Sequence, residues 1–361
     1  MRCGRCDHEN PDTVLYCGMC CDTWGAGRKI TWPLPIVQGI GTPAPATPGA
    51  GRPLAPAPSP APPAAPAGGP VPPEIKIVAQ AGRDLFGKGQ WEAALKAFDI
   101  AVAGAPMVAE YWYNKGLVLN ELTRDDEAAA CYDKALELNP RLMAAWLNKG
   151  AHLSRKGKLE EAVRCFGMAL GLNPEQALAW FNKGKCLHDL GRFEEALAAY
   201  EKAAALDPKS ANYANNKGCT LMSLKRHEEA LAAFRQAVAG NAQHAFGWGN
   251  MGDALNCLKR PQEALACFDK ALAIKKYAAA WCGKGDSYGL LEQYQEAILH
   301  FQKALEKYDK YPEAWYGKAL AEDKMFMTAE AAESYRKFLA LNPVKMAAEV
   351  ELAKKRLEDL A

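Results

Sequence analysis

The chain has 361 residues, of which 49% are hydrophobic and 24% are charged, and its formal net charge is +2 at pH 7. This small net charge gives no electrostatic argument for binding nucleic acid or an anionic membrane. No apolar stretch reaches the roughly 18 residues of a membrane-spanning helix, and the N-terminus lacks the apolar core of a signal peptide. We therefore expect a cytoplasmic protein without a membrane span.

Five of the twelve cysteines lie within the first 21 residues, and four of them form two C-x-x-C pairs. Cys3 and Cys6 form the first pair, and Cys17 and Cys20 form the second after a gap of ten residues. Two thiolates at this spacing can bind one zinc ion, and two such pairs complete a closed tetrahedral shell. So short a segment cannot fold on its own apolar surface, so Zn²⁺ would supply the folding free energy. The segment resembles a zinc ribbon, although Cys21 could replace Cys20 as the fourth ligand.

We assign this ribbon to residues 1–32, and its role has two interpretations. Zinc held by four cysteines has no open position for water, so we expect a structural site. The ribbon then serves as a docking module for a protein, or it contacts DNA or RNA, as some zinc ribbons do. Its charges disfavour nucleic acid, because acidic and basic side chains balance. These are Arg2, Arg5, Arg28 and Lys29 against Asp7, Glu9, Asp12 and Asp22.

Residues 33–73 contain 15 prolines, many alanines and glycines, and one charged residue, Arg52. Proline fixes φ and removes a backbone donor, so neither helix nor sheet can propagate. We expect a flexible, semi-extended tether that reaches up to about 120 Å at roughly 3 Å per residue. A ligand for proline-recognising domains is the alternative interpretation.

From Glu74 onward the sequence has a period of 34 residues, since the pattern of Trp112–Pro140 recurs at Trp146–Pro174 and Trp180–Pro208. Each copy contains two apolar stripes with helical spacing, separated by a short turn. Neither of the two predicted helices can bury its stripe alone, whereas stacked neighbours can. The period therefore predicts an array of helix pairs.

Within one copy, we take Trp112 to mark the buried side of the first helix. Gly116 of this helix and Ala128 of the second are small enough to let the helices approach closely. Trp112 and Tyr132 are expected to fill the space around that contact.

This pattern resembles the tetratricopeptide repeat, over about three quarters of the chain. The resemblance implies an all-α, right-handed superhelical solenoid at residues 74–345, closed by a capping helix at 346–361. We count eight units, at 75–108, 109–142, 143–176, 177–210, 211–244, 245–277, 278–311 and 312–345.

The resemblance also implies that the first helices line a concave surface that receives a peptide or protein. Helical geometry places one recurring asparagine on this surface, and an amide can pair with a peptide backbone without reading its side chains. The row is similar to the asparagine ladder in the repeat domain of the enzymes that attach N-acetylglucosamine to serine and threonine. The alternative is that each amide bonds to its own neighbours. The row consists of Asn114, Asn148, Asn182, Asn216 and Asn250.

Other positions of this surface carry a charge that changes sign along the chain. We expect a bound peptide to place acidic residues near the first half of the array and basic residues near the second. The charged candidates are Arg155, Lys185 and His188 in the first half, and Asp253 and Asp286 in the second. Tyr113 is an uncharged candidate on the same surface.

A lysine directly follows the asparagine position in several units. We expect its stem to pack between helices while the ammonium group reaches water, and a basic row that binds phosphate is the alternative. The lysines are Lys115, Lys149, Lys183, Lys217, Lys284 and Lys318.

The sequence contains no phosphate-binding loop, no nucleophile elbow and no zinc-protease motif. We therefore predict a non-enzymatic interaction scaffold that binds a peptide or protein partner in the concave groove, with the zinc ribbon as a second docking module. The alternative is a nucleic-acid-associated adaptor that contacts DNA or RNA through the ribbon.

Overall fold

The computed structural model describes residues 70–343 and 346–360, and the backbone of two short strands nearer the N-terminus. Strand β1 (Tyr16–Cys17) pairs antiparallel with β2 (Asp22–Thr23), so that Cys17 lies opposite Asp22. The rest of the predicted ribbon and the linker up to residue 69 lie outside the described residues. So do the side chains of the four cysteines predicted to bind zinc, Cys3, Cys6, Cys17 and Cys20.

From residue 73 onward, the described chain is a series of helix pairs, followed by one further helix. The first helices of the pairs are α1 (Pro73–Gly87), α3 (Ala109–Glu121), α5 (Met143–Arg155), α7 (Ala177–Asp189), α9 (Ala211–Ser223), α11 (Ala245–Cys257), α13 (Ala278–Leu290) and α15 (Pro312–Lys324). The second helices are α2 (Trp91–Gly104), α4 (Asp125–Leu138), α6 (Leu159–Leu172), α8 (Phe193–Leu206), α10 (His227–Gly240), α12 (Pro261–Ile274), α14 (Tyr294–Lys307) and α16 (Thr328–Ala340). The last helix is α17 (Ala347–Asp359). This architecture confirms the predicted all-α class of stacked helix pairs.

Each pair packs around one aromatic side chain of its second helix. Tyr132 is fully buried, and a methyl group added to Gly116 of the first helix would lie 2.6 Å from its ring. Real side chains do not approach so closely, so the glycine is required for this packing. The same contact recurs at Gly82–Phe98, Gly116–Tyr132, Gly150–Phe166, Gly184–Tyr200, Gly218–Phe234, Gly252–Phe268 and Gly285–Phe301. The predicted close approach of the two helices is therefore confirmed.

The tryptophans lie at the margin of this core and not at its centre. Trp112 is half-buried, whereas Tyr111 and Val118 of the same helix are buried. The Trp112 indole Nε1 donates to the carbonyl oxygen of Pro106, six residues earlier, at 2.8 Å. An indole N–H needs such a partner wherever its ring is partly buried. Taking Trp112 as the buried direction of the first helix was thus inaccurate, because its polar edge bonds to the chain that enters the helix.

The turn inside each pair contains one residue in the left-handed region. In three turns this residue is a glycine, with φ between 72° and 75°. The five other turns use side-chain-bearing residues at φ between 58° and 60°. The amide that follows bonds back into the first helix, as when Arg124 donates to Leu119 at 2.9 Å, which ends that helix. The left-handed residues are Gly89, Thr123, Gly157, Gly191, Lys225, Lys259, Glu292 and Phe326.

The described repeats divide into two compact blocks, with the boundary between Tyr213 and Ala214 within α9. The N-terminal block, residues 70–213, contains four helix pairs. The C-terminal block comprises the described residues from 214 onward, and a continuous core runs through it from Ala278 to Ala353.

Helix α17 closes the end of the C-terminal block. Met346 and Ala353 are buried against the preceding pair. Arg356 of α17 donates to both carboxylate oxygens of Asp323 in α15, at 2.7 and 2.8 Å. Among the described helices, none has both the length and the apolar character that crossing a bilayer requires.

Candidate peptide-binding surface

The asparagine row begins on the first helices of the N-terminal block, where one amide is already engaged. Asn148 Nδ2 of α5 donates to the Tyr113 hydroxyl of α3 at 3.1 Å. Partial burial raises the pKa of Tyr113, and this hydrogen bond opposes the rise. At this position the amide therefore bonds to the preceding unit and not to a ligand. This matches the alternative interpretation, in which each amide bonds to its own neighbours.

Two other amides of the row have no such partner. Asn114 and Asn182 are half-buried, and neither side chain forms a hydrogen bond with any part of the chain that the structure describes. The residue 35 positions earlier explains the difference. That residue is Tyr113 for Asn148, but Ala79 for Asn114 and Leu147 for Asn182, and neither apolar side chain can accept a hydrogen bond. These two amides remain open to a ligand.

In the C-terminal block the asparagines of the row are buried and are not open to a ligand. Asn216 is only 1% exposed and Asn250 only 8%. Asn250 Nδ2 donates to the side-chain oxygen of Asn215, again 35 residues earlier, at 2.9 Å. The expectation of five equivalent amides on one open surface therefore does not match this structure.

The predicted cations of the first half differ from one another in their surroundings. Arg155 donates through Nη2 to Asn120 at 3.1 Å and to Asp125 at 3.2 Å, so protein groups already partly satisfy its charge. Lys185 is half-buried and forms no ion pair with the described residues. Lys185 is thus the cation of this surface that is available to an acidic ligand.

His188, in contrast, does not contribute positive charge. It is 3% exposed, and its ring packs edge-on against Phe193 with centroids 5.1 Å apart. Burial lowers the pKa of His188 to about 4, so the imidazole is neutral at pH 7. Assigning it to the positive half of the surface was wrong, because packing removes it from water.

The next residue, Asp189, was not singled out in the sequence. Both of its carboxylate oxygens are buried and lack a hydrogen-bond partner among the described residues. Burial raises the pKa of Asp189 to about 7, although the nearby Lys185 opposes this rise. The sequence offered no signal for this, since an aspartate at the end of a helix is usually solvated.

The predicted acidic residues of the second half lie on the first helices of the C-terminal block. Asp253 is half-buried on α11, and Asp286 is half-buried on α13. Among the residues that can be described, no group of three or more His, Cys, Asp or Glu side chains could hold a metal ion.

Several lysines at the position after the asparagine pair with an aspartate of the preceding second helix. Lys115 Nζ lies 2.8 Å from Asp99 and 5.7 Å from the centroid of the Trp112 ring. Lys149 pairs in the same way with Asp133, at 2.5 Å. These contacts favour the structural interpretation, since ammonium groups already paired with carboxylates do not form an open phosphate-binding row.

Family models identify the repeat. Models described as tetratricopeptide repeat match residues 80–142 and 147–211, residues 243–310, and residues 211–244 and 312–345. Together they cover well over half of the chain, so the protein belongs to the tetratricopeptide repeat family. A comparison with curated proteins found no match.

Solved structures share the fold at low sequence identity. A chain of the APC/C hetero-tetramer Cut9-Hcn1 is 19% identical with a TM-score of 0.56, over 79% of this chain and 55% of the other. This protein thus spans about half the length of that chain. A tetratricopeptide repeat protein from Parabacteroides merdae is 17% identical with a TM-score of 0.52, over 68% of this chain and 98% of its own.

Proposed function

We propose that this protein is a non-enzymatic scaffold of the cytoplasm that binds an extended peptide segment along α3, α5 and α7 of the N-terminal block. The observation that carries the proposal is the pair of open amides at Asn114 and Asn182. Each amide offers a donor and an acceptor, which matches the backbone of an extended chain. Tetratricopeptide repeat domains bind protein or peptide partners, so membership of this family supports the same role.

Lys185 adds a preference for acidic ligands to this surface. It lies on α7, three residues after Asn182, and it has no ion pair with the described residues. An unpaired ammonium in a partly buried position favours a carboxylate or a phosphate nearby. A peptide held by the amides should therefore carry an acidic residue where it passes α7.

The experiment compares two charge reversals in the full chain. Fluorescence polarisation measures binding of fluorescein-labelled 12-residue peptides that each carry two glutamates at varied positions. Lys185→Glu should weaken the best binder at least tenfold. Lys202→Glu, which makes the same change on an exposed position of α8, should leave its affinity within twofold. Equal affinities of the two variants, or no binding by any peptide, would contradict the proposal.

We propose that Asp253 and Asp286 give the C-terminal block a preference for basic residues in the partner. Both side chains are half-buried carboxylates on first helices. The same assay with lysine-containing peptides tests this preference, and Asp253→Asn should weaken the best of these peptides. Unchanged binding by that variant would count against it.

We also propose that Cys3, Cys6, Cys17 and Cys20 hold one structural zinc ion, so that the ribbon acts as a second docking module. The support is the doubled C-x-x-C spacing, together with a backbone pairing that joins Cys17 to Asp22, just beyond the second motif. Mass spectrometry of the full chain should find about one zinc ion per molecule, and Cys17→Ser should lose it. A zinc content near zero in the unmodified protein would overturn this assignment.

A further inference from the structure

Phe326 is the most exposed large apolar side chain of the described chain. It lies in the turn between α15 and α16 and is 91% exposed. Its φ of 59° also places it in the left-handed region, where a bulky side chain is disfavoured. Three other units fill the equivalent position with glycine. Phe326 is thus a large apolar side chain left in water and a bulky residue in a left-handed backbone conformation. A residue that departs from both preferences is typical of a binding site.

Met325, the residue before Phe326, lies against the neighbouring turn. Met325 is 38% exposed and lines a shallow pocket of about 330 Å³. The other wall of this pocket consists of residues 292–296, which form the turn after α13 and the start of α14. Tyr294 belongs to that wall. An apolar side chain of a partner could thus lie against Met325 and Tyr294.

The same pocket contains glutamates that form no ion pair with the described residues, whereas the equivalent glutamate in several other units is paired with an arginine. In four units the glutamate in the first turn of the second helix pairs with an arginine three residues earlier. These pairs are Arg124–Glu127, Arg192–Glu195, Arg226–Glu229 and Arg260–Glu263.

In the pocket the corresponding residues are Gln293 and Glu296, and glutamine cannot form an ion pair. Glu292 and Glu296 therefore have no ion pair with any residue that the structure describes. Two unneutralised carboxylates in one pocket with the exposed side chain of Met325 select for a cationic group next to an apolar one.

We propose that Met325, Phe326, Glu292 and Glu296 form a docking surface for a partner segment in which an aliphatic or aromatic residue lies next to lysine or arginine. We name it the 292/326 surface. The apolar residue would cover Phe326 and Met325, and the cation would pair with Glu296 and Glu292. This surface lies at the turns of the C-terminal block and shares no residue with the amides of α3 and α7, so it can operate whether or not a peptide binds there.

The test uses the full-length protein and a phage library of random 12-residue peptides. Selection on the unmodified protein is followed by counter-selection on Phe326→Gly, so that only peptides that require Phe326 survive. The surviving peptides should pair an apolar residue with lysine or arginine. In a polarisation assay, Phe326→Gly and Glu296→Gln should each weaken a surviving peptide at least tenfold.

Two matched controls separate binding from folding. Thr123→Gly makes the same left-handed position a glycine in another unit, and Glu263→Gln removes a glutamate that Arg260 already neutralises. Both should leave the affinity within twofold. The proposal is overturned if no peptide survives the counter-selection, or if the survivors lack basic residues. It is also overturned if ultracentrifugation finds a dimer that Phe326→Gly dissociates, because the surface would then join two copies of the chain.

Discussion

Asn148 of α5 donates its side-chain amide to the hydroxyl of Tyr113, which lies 35 residues earlier on α3. The bond joins the first helices of two successive units and repeats between Asn250 and Asn215 at the same separation. Within the N-terminal block, an asparagine of this row is therefore either a link between units, as Asn148 is, or an open amide, as Asn114 and Asn182 are. Which of the two it becomes depends on the residue 35 positions earlier.

Disrupting the Asn148–Tyr113 bond should destabilise the protein measurably. A neutral hydrogen bond of this kind contributes about 0.5–1.5 kcal/mol, and a double-mutant cycle of Tyr113→Phe and Asn148→Ala should return a coupling energy in that range. Urea denaturation of the full chain followed by circular dichroism provides the free energies. Asn182→Ala is the control, because Leu147 offers it no acceptor, and it should cost less than about 0.5 kcal/mol. A coupling energy near zero would show that the bond does not stabilise the stack.

Gly116 should not tolerate a methyl group. Because that methyl would lie 2.6 Å from the Tyr132 ring, Gly116→Ala should force the helices apart and cost about 2 kcal/mol or more. Gly171→Ala is the matched control, since a methyl there would meet nothing within 4 Å on the exposed side of α6. That control should raise stability by up to about 1 kcal/mol, because alanine favours a helix over glycine. Denaturation midpoints that shift in the same direction for both variants would contradict the packing described above.

Replacing Phe326 with glycine should leave the fold intact or stabilise it. The left-handed backbone disfavours phenylalanine by roughly 1–2 kcal/mol, whereas glycine adopts this conformation without strain. Glycine also gives the unfolded chain more conformational entropy, which offsets part of this stabilisation. We expect a net change between zero and about 1 kcal/mol in favour of the variant, measured by thermal unfolding. A loss of more than about 1 kcal/mol would mean that the ring stabilises the native turn and is not held available for a partner.

His188 and Asp189 should give the N-terminal block opposing pH dependences. The pKa of His188 falls from 6.5 to about 4 on folding, so its contribution to stability is complete above pH 6.5 and is lost as the pH decreases toward 4. The pKa of Asp189 rises from 3.8 to about 7, so its contribution is complete below pH 3.8 and is lost as the pH increases through 7. Between about pH 4 and 6.5 the two slopes largely cancel.

Asp189→Asn separates these two contributions. The variant lacks the carboxylate that must ionise without a hydrogen-bond partner, so it should gain stability relative to the unmodified protein as the pH rises. The gain should be about 3 kcal/mol larger at pH 8 than at pH 4. Urea denaturation at both pH values measures it, and Glu175→Gln, at an exposed position, should show no comparable change. A gain that does not vary with pH would mean that folding leaves the pKa of Asp189 unchanged.

The 34-residue period and the glycine–aromatic contacts made the fold predictable from sequence. Gly116 and Tyr132 belong to one helix pair, so the pattern that predicts their contact is local. The burial of His188 and Asp189 was not predictable in this way. Helical geometry gives the direction in which a side chain points, but it does not give the residues of other helices that pack over it. The exposure of Phe326 likewise depends on the backbone conformation of its turn, which the sequence alone did not indicate.

The difference between Asn148 and Asn182 could have been found in the sequence by comparing successive units. Reading the residue 35 positions before Asn148 finds Tyr113, and reading the one before Asn182 finds Leu147. A tyrosine hydroxyl can accept the amide, and a leucine cannot. The two asparagines occupy the same position in the 34-residue period. They differ in the residue of the preceding unit that lies within reach of the amide.

The central claim is that Asn114 and Asn182 hold the backbone of an extended peptide. The most direct measurement is the dissociation constant of the best glutamate-containing peptide for the full chain and for the double variant Asn114→Ala/Asn182→Ala, with Gln262→Ala as a control at an exposed amide of α12. We predict that the double variant binds at least tenfold more weakly while the control binds as the unmodified protein does. Equal affinity for all three proteins would contradict the claim.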